Sequence, residues 1–472
     1  MQGAVEGMWD VTGEFLRARL PDKRLVGRTL EVMKRLARSP GDSFPDAMGS
    51  EKELEGLYRL LNNPRVNHPE LLKSHVLGTV ERAEAAGDLL AIHDTTSNKF
   101  PALSPEEIGE LSTGSAGFLA HTTLLLDATV ERCPLGVIAL KTIHREPGRP
   151  RRDLSGPECA KLENKESARW FDAVRETEER LFGKARVLHV MDREADSYEL
   201  YARLLARGSR FVIRGDDRTC LFDGERGRIK EVLSKQQVIA ERDVPLAKRT
   251  NRIRAPKSAR PVREARMAQL SVAGCTITLN APTYLGADLP QQITLNVVHV
   301  FEADPPAGEP PVEWFLLTSE PIETDEQLLR VIDIYRHRWV IEEFFKALKS
   351  GCLYQERQLE SREALLNALV LFLPIACQLL WMRSQSRIHP NAPAEGLVTK
   401  TQEQVIRHFS SRKLSASPTV RELIWAVAAI GGHLKSNGEP GWQVLGRAWT
   451  RVLEYEAVWL AAAATFQKTA IS

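Results

Sequence analysis

Three acidic residues stand where carboxylate chemistry could use them. Asp94 closes the apolar run of LLAIHDTTS and Asp192 closes that of VLHVMDREADS, each followed by a polar residue rather than by more apolar ones. A carboxylate at the end of a strand-like run lies at the rim of a sheet, although aspartate also serves there as an ordinary turn former. The third acid, Glu342, lies in IYRHRWVIEEFFKALKSG with Tyr335, Arg338, Lys346 and Lys349, the five residues being spaced by 3, 4, 4 and 3. On a single helix from Thr324 to Lys349, capped by Thr324 or Asp325, they fall within an arc of roughly 80°. Ile341, Phe344, Phe345 and Leu348 fill the neighbouring arc, so the helix would pack on a sheet while presenting a carboxylate among cations. A ladder of surface ion pairs four residues apart explains the charges well. It explains less well an acid set among one tyrosine and three cations, beside aromatic residues.

Three carboxylates suit a hard divalent cation, Mg²⁺ or Mn²⁺, which takes oxygen ligands in octahedral geometry and keeps positions for water and substrate. Two such ions about 3.5–4 Å apart can activate water and stabilise the leaving oxygen of a phosphodiester. Cations on the same helix would hold a phosphate backbone beside them.

The elements that must position these residues can be read along the chain. Residues 1 to about 75 read as helical and carry Lys23, Arg24, Arg28, Lys34, Arg35 and Arg38. In TLEVMKRLAR, Leu30, Met33 and Leu36 form one stripe with Lys34, Arg35 and Arg38 off it, a pattern that a solvated helix face would also give. From about residue 85 the runs become short and rich in Val, Ile, Leu and Thr: Leu89–His93, Thr122–Val130, Leu135–Ile143, Val187–Met191 and Arg210–Arg214. A helical stretch at Glu163–Arg180 separates two of them, so the pattern is mixed α/β around a central sheet. A second β-rich block follows at Ala268–Ala281, Ile293–Ala303 and Val312–Ser319. Ahead of it, Pro245–Arg266 sets eight cations against one acid, Glu264, and reads as a flexible basic loop, either a solvated linker or, inside a folded enzyme, a segment that approaches a polyanion. Beyond residue 365 the chain is helical again. Ala364–Met382 approaches the length of a membrane span, but Asn367, Pro374 and Gln378 interrupt it, and a buried helix is expected. The last helix, Gly441–Phe466, is rich in Trp, Leu and Ala and could serve as core or as a dimer contact.

The chain has 472 residues, 43% hydrophobic and 27% charged, with a net charge of +2. That balance describes a soluble globular protein of several domains and excludes a disordered chain, a fibrous repeat and a uniformly basic coat protein. Six cysteines are scattered without a CxxC pair, which argues against structural zinc and for a reducing, cytoplasmic setting. No basic-then-apolar start resembles a signal peptide. A glycoside hydrolase could also use two of the acids, but a neutral sugar needs no wall of cations.

The helix carries Tyr335, Arg338, Glu342 and Lys349 in a Y-x2-R-x3-E-x6-K pattern, and IHDTTS, GFLAHTTLLLDA, KESARW, MDREAD, RFVIR, WFLLTSEP and RVIDIYRHRW follow in order. In these strings the sequence resembles the bacterial DDE cut-and-paste transposases with the Y-R-E-K signature, from about residue 20 to about 465. The resemblance implies an RNase H-like core with Asp94, Asp192 and Glu342 as the triad that binds Mg²⁺ (or Mn²⁺). It further implies strand cleavage at the transposon end, a hairpin intermediate and its opening, and joining of the 3′-ends to target DNA. Tyr335 and Arg338 match positions that hold phosphates beside a flipped base, and Trp314 matches a tryptophan that stacks on it. Lys346, Lys349 and Arg214 match further DNA contacts, and Arg24 and Arg28 match basic positions of the end-binding domain. The implied organisation is a DNA-end-binding domain at 1–75, a catalytic domain at 76–365 with a β insertion at about 215–315, and a dimerisation domain at 366–472. Its partners would be transposon-end DNA, target DNA and a second copy, with no membrane. After RFVIR the sequence departs from the relatives, placing Asp216 and Asp217 where they are basic.

Overall fold

A computed structural model describes residues 10–129, 133–148, 157–158, 165–246, 263–286, 288–434 and 438–471. Most of the expected basic loop lies outside them, only Arg263 and Arg266 of its eight cations being described.

Eleven strands among the described residues form one sheet. They are β1 (Asp88–Lys99), β2 (Gly117–Asp127), β3 (Pro134–Ile143), β4 (Arg186–Met191), β5 (Arg210–Gly215), β6 (Thr219–Phe222), β7 (Glu225–Arg228), β8 (Ala240–Leu246), β9 (Arg266–Asn280), β10 (Gln292–Phe301) and β11 (Glu313–Thr318). Their order is β3-β2-β1-β4-β5-β11-β10-β9-β6-β7, with β8 laid against β9. β4 runs parallel to β1 and to β5, and every other pairing is antiparallel. Leu89–Ile92 of β1 and Leu188–Met191 of β4 are buried without alternation, as strands covered on both faces must be. β9 instead alternates buried and accessible residues over much of its length.

The second β-rich block was expected as an insertion of its own. It continues the same sheet: Phe315–Thr318 of β11 pair with Val212–Gly215 of β5. The hydrogen-bonding edge of β5 is thereby filled.

The helices are α1 (Lys23–Arg38), α2 (Phe44–Met48), α3 (Glu51–Leu61), α4 (His68–Ala86), α5 (Pro105–Ile108), α6 (Ala168–Leu181), α7 (Tyr198–Arg207), α8 (Ile229–Ser234), α9 (Asp325–Arg336), α10 (Trp339–Lys346), α11 (Arg362–Ile388), α12 (Lys400–Phe409), α13 (Val420–Ile430) and α14 (Trp442–Ile471). The boundaries expected near 75 and 365 fall inside α4 and α11. Both helices belong to the main hydrophobic core and pack on each other. α11 is long and apolar enough to cross a membrane, yet that stretch is wholly buried inside the protein.

The helix expected over Thr324–Lys349 is two helices. Thr324 caps the first in a reciprocal box with Gln327. The break comes at His337–Arg338. His337 Nδ1 lies 2.5 Å from the carbonyl of Asp333, the acceptor its own amide would take in a continuous helix. That amide turns to the carbonyl of Ile334 instead. A side chain inserted in the i→i−4 ladder is a recognised cause of kinks. After α10 the chain loosens into a π-turn over Ala347–Gly351.

Two buried polar knots fasten the N-terminal helices to the sheet and its neighbours. Glu14 accepts from His75 Nδ1 at 2.6 Å and pairs with Arg82 at 2.8 Å, while His75 Nε2 accepts the Val137 amide of β3 at 3.0 Å. Gly136 lets β3 approach that closely, since a Cβ there would meet Thr79 Oγ1 at 2.2 Å. On the other side Arg357 donates to the carbonyls of Pro40, Asp42 and Cys352 and lies over the rings of Phe44 and Phe372.

Replacing Arg357 by Ala leaves buried carbonyls without donors, each costing about 1–3 kcal/mol. The Arg357→Ala protein is therefore expected to lose several degrees of thermal midpoint in calorimetry, whereas Arg186→Ala, at a largely exposed ion pair, leaves it nearly unchanged.

Candidate active site

Asp94 does not end its strand. β1 continues to Lys99 along β2, but its pairing with β4 stops at Ile92. Asp94 therefore stands where β1 and β4 part. Asp192 is the first residue after β4 and caps a 3₁₀ turn, accepting the Glu194 amide at 2.9 Å. Two parallel strands that end their pairing together bring these acids to one rim.

Glu342 comes from α10. Arg338, at the break before that helix, donates to Asp94 Oδ2 at 3.2 Å and to Glu342 Oε1 at 2.6 Å. Arg338 is 8% exposed. One guanidinium thus bridges two carboxylates that like-charge repulsion would separate. The Asp94 carboxyl is pushed up to about 7, first by burial, against the pull of Arg338, and further by Asp192 and Glu342. Burial dominates that rise, and Arg338 opposes it more strongly than either neighbouring acid adds to it.

The other residues expected at the site gather round this centre. Tyr335 is buried at the end of α9 with its ring 5.8 Å from that of Trp314 on β11. Burial raises the Tyr335 hydroxyl above its ordinary range, and Arg338 and Arg214 oppose the rise. Arg214 of β5 also reaches the Glu313 carbonyl at 3.4 Å. Lys349 folds back on β1, donating to Thr96 Oγ1 at 2.6 Å and to the Ser97 carbonyl at 2.8 Å. Burial and the nearby Lys99 lower its ammonium to about 8. Lys346 is exposed on α10. The five residues expected on one helical arc thus come from three successive segments, and the fold rather than helical spacing unites them.

Far along the chain, Arg24 is exposed on α1, whereas Arg28 is tied to Glu53 at 2.7 Å. The acids that depart from the expected basic pattern are paired locally, Asp216 with Arg193 and Asp217 with Arg228, each at 3.1 Å.

Sequence reasoning missed the layer beneath the acids. His93, one residue before Asp94, and His189, three before Asp192, face each other across β1 and β4 with Nε2 and Nδ1 2.8 Å apart. Thr123 of β2 meets His93 Nδ1 at 2.9 Å, and His189 Nε2 faces Glu178 of α6 at 3.5 Å. Burial first, then the neighbouring His189 and His121, hold His93 well below the usual histidine range. Neutral rings with fixed tautomers suit this chain, with Thr123 donating to His93 and His93 donating to His189. Alongside, Arg169 reaches Thr95 at 3.1 Å and Glu194 at 2.9 Å, linking β1 to the turn that holds Asp192. The motifs IHD and HVMD contain both histidines, but only the strand register reveals that they touch.

The donor set of Asp94, Asp192 and Glu342 is all carboxylate oxygen, which fits Mg²⁺ or Mn²⁺ better than zinc. Among the described residues no three acid, histidine or cysteine side chains already stand close enough to hold an ion.

Glu178 anchors the histidine layer. Burial would raise its carboxyl, but contacts with His189, Ser209 and Arg207 outweigh it and bring it down to about 2. A lowered carboxyl stabilises the fold above its unfolded value near 4.3, and the gain is lost as pH falls through the folded one. Glu178→Gln should cost on the order of 2 kcal/mol at pH 7 by urea unfolding, and the gap from wild type should narrow between pH 4.5 and 2.

Two family models match the chain. Residues 9–66, including α1 to α3, match the one described as transposase DNA-binding, and residues 164–375, including Asp192 and Glu342, match the transposase DDE domain. Along the chain a match to a transposase DNA-binding domain is thus followed by a match to a transposase DDE domain.

Proposed function

We propose that this protein is a cut-and-paste DNA transposase whose catalytic triad is Asp94, Asp192 and Glu342. The observation that carries the reading is the bridge of Arg338 between Asp94 and Glu342, with Asp192 close enough to perturb Asp94. The order β3-β2-β1-β4-β5, antiparallel on one side of β1 and parallel on the other, supports an RNase H-like core.

Divalent ions held by the three carboxylates would supply an activated water and stabilise the leaving 3′-oxygen. The chain's own residues do the rest. Arg338 compensates the acids until its guanidinium turns to a DNA phosphate. Trp314 stacks on a base drawn out of the stack, as a tightly bent hairpin end requires, and Tyr335, its ring beside that of Trp314, holds a phosphate next to that base. Arg214, Lys346 and Lys349 neutralise the phosphates around it. Arg24 and neighbouring cations of the first helix hold the duplex of the transposon end. The freed 3′-hydroxyl first attacks the opposite strand and, after the hairpin opens, the target.

A second copy completes the assembly. Trp442, Leu445, Trp449 and Val452 at the start of α14 are buried, whereas Val458 and Leu460 farther along are exposed. That exposed apolar stretch supports pairing between two DNA-bound subunits. Sedimentation of protein on terminal-repeat DNA should show a paired-end complex, and Leu460→Glu should reduce it to one subunit per end. Single-subunit complexes for both proteins would rule the pairing out.

The chemistry is tested with labelled DNA carrying the element's terminal repeat, with and without Mg²⁺, on a denaturing gel. Asp94→Ala, Asp192→Ala and Glu342→Ala are each expected to abolish cleavage while sparing end binding. Cleavage retained by any one of them would sink the triad. Trp314→Ala should keep the first nick and lower hairpin yield about ten-fold or more, since a base–aromatic stack contributes about 1–3 kcal/mol. Binding without any cut product would indicate a domesticated DNA-binding protein. Cutting without target joining would indicate a nuclease of the same fold.

A further inference from the structure

A cleft of about 850 Å³ lies in the C-terminal helical region, away from the acidic centre in the chain. It is walled by the loop after α12, the first turns of α13 and the segment that follows α13. Arg412, Lys413 and Arg421 line it, with Trp425, His433 and a single acid, Glu422. The Glu422 carboxylate is already engaged, accepting the Thr419 amide at 2.8 Å and the Ser415 hydroxyl at 3.0 Å. Arg421 gives one donor to Glu439 at 2.9 Å.

The unusual feature is a surplus of donors. Among the described residues, Arg412 Nη2, Trp425 Nε1 and both ring nitrogens of His433 are enclosed without a hydrogen-bond partner, so an occupant of the cleft would meet the accessible parts of the cationic side chains instead. The arginine and tryptophan atoms can only donate, and a neutral imidazole offers one donor in either tautomer. Three cations against one engaged acid on the wall of the cleft suit a negative, acceptor-rich occupant. Trp425 meanwhile holds the guanidinium carbons of Arg412 and Arg421 at 4.6 and 5.2 Å from its ring centre. A stacked guanidinium keeps its fork of N–H groups oriented for an oxyanion.

We propose that this cleft is a second phosphate-binding site, one that holds a backbone phosphate of DNA outside the acidic centre. An oxyanion of this kind has two sources, a DNA strand or a free phosphate-bearing small molecule. A protein with a transposase DNA-binding domain meets the first in its ordinary work, and the exposed Lys413 at the mouth suits a long polyanion.

The test uses the full-length protein and a duplex carrying the terminal repeat, followed by fluorescence anisotropy over a range of salt. It reads binding only, so it fails or succeeds independently of the catalytic triad. Arg412→Gln and Lys413→Gln should each flatten the plot of log affinity against log salt by about one. Lys413→Gln removes an exposed side chain and tests the proposal even if Arg412→Gln folds poorly. Unchanged slopes in folded variants overturn the DNA site. Calorimetric binding of inorganic phosphate that both variants lose, with the DNA slopes unchanged, would assign the cleft to a free phosphate ligand and equally overturn the DNA occupant.

Discussion

Everything at the acidic centre depends on holding like charges together in a place shielded from water. Asp94 and Glu342 share one guanidinium, and Asp192 adds its repulsion without a share in that compensation. Repulsion between carboxylates a few ångströms apart grows as solvent is excluded. In the proposed reaction, surplus negative charge at such a site would draw in a divalent cation. Arg338 serves as the counter-charge of the resting protein and, in the proposed reaction, as a ligand for phosphate.

Such a centre needs a rigid frame. β1 and β4 supply it by pairing in parallel up to the point where the acids emerge. The buried contact of His93 with His189 ties these strands one residue from Asp94 and three from Asp192. Thr95, Arg169 and Glu194 add a second tie, from β1 to the turn that carries Asp192. β5 carries Arg214, and β11, paired with β5 in the same sheet, carries Trp314, whose ring stands beside that of Tyr335. Had the β-rich block folded as a separate unit, its aromatic residue would depend on a hinge for its position.

The fold also couples the end-binding helices to this frame. The Glu14–His75–Arg82 cluster and the Arg357 clamp are buried polar contacts between segments far apart in sequence. Their geometry is specific, since a misdocked helix would leave several groups unsatisfied. In the proposed reading, DNA held by the first helices would thereby be presented to the sheet in a fixed relation.

Eight of the eleven described strands, the buried helix α11 and the Thr324 cap could be read from residue type and spacing, and the three acids stood out as candidates; β6, β7 and β8 are short and carry too few apolar residues to stand out. Run length and apolar content are local properties, and local sequence fixes them. Asp94 was placed at a strand end because the apolar run stops at His93. It lies in mid-strand because β2 offers hydrogen-bond partners beyond the point where apolar burial ends. The helix carrying Tyr335 to Lys349 looked continuous because no proline or glycine interrupts it before Gly351; the competition of His337 for the Asp333 carbonyl broke it. The sequence alone determined which side chains could do chemistry, since acids, cations and aromatic residues keep their character in any fold. Only the tertiary structure decided which of them meet. Strand register, a helix break and the contacts of residues more than two hundred positions apart are set by packing and hydrogen-bond satisfaction across the whole chain.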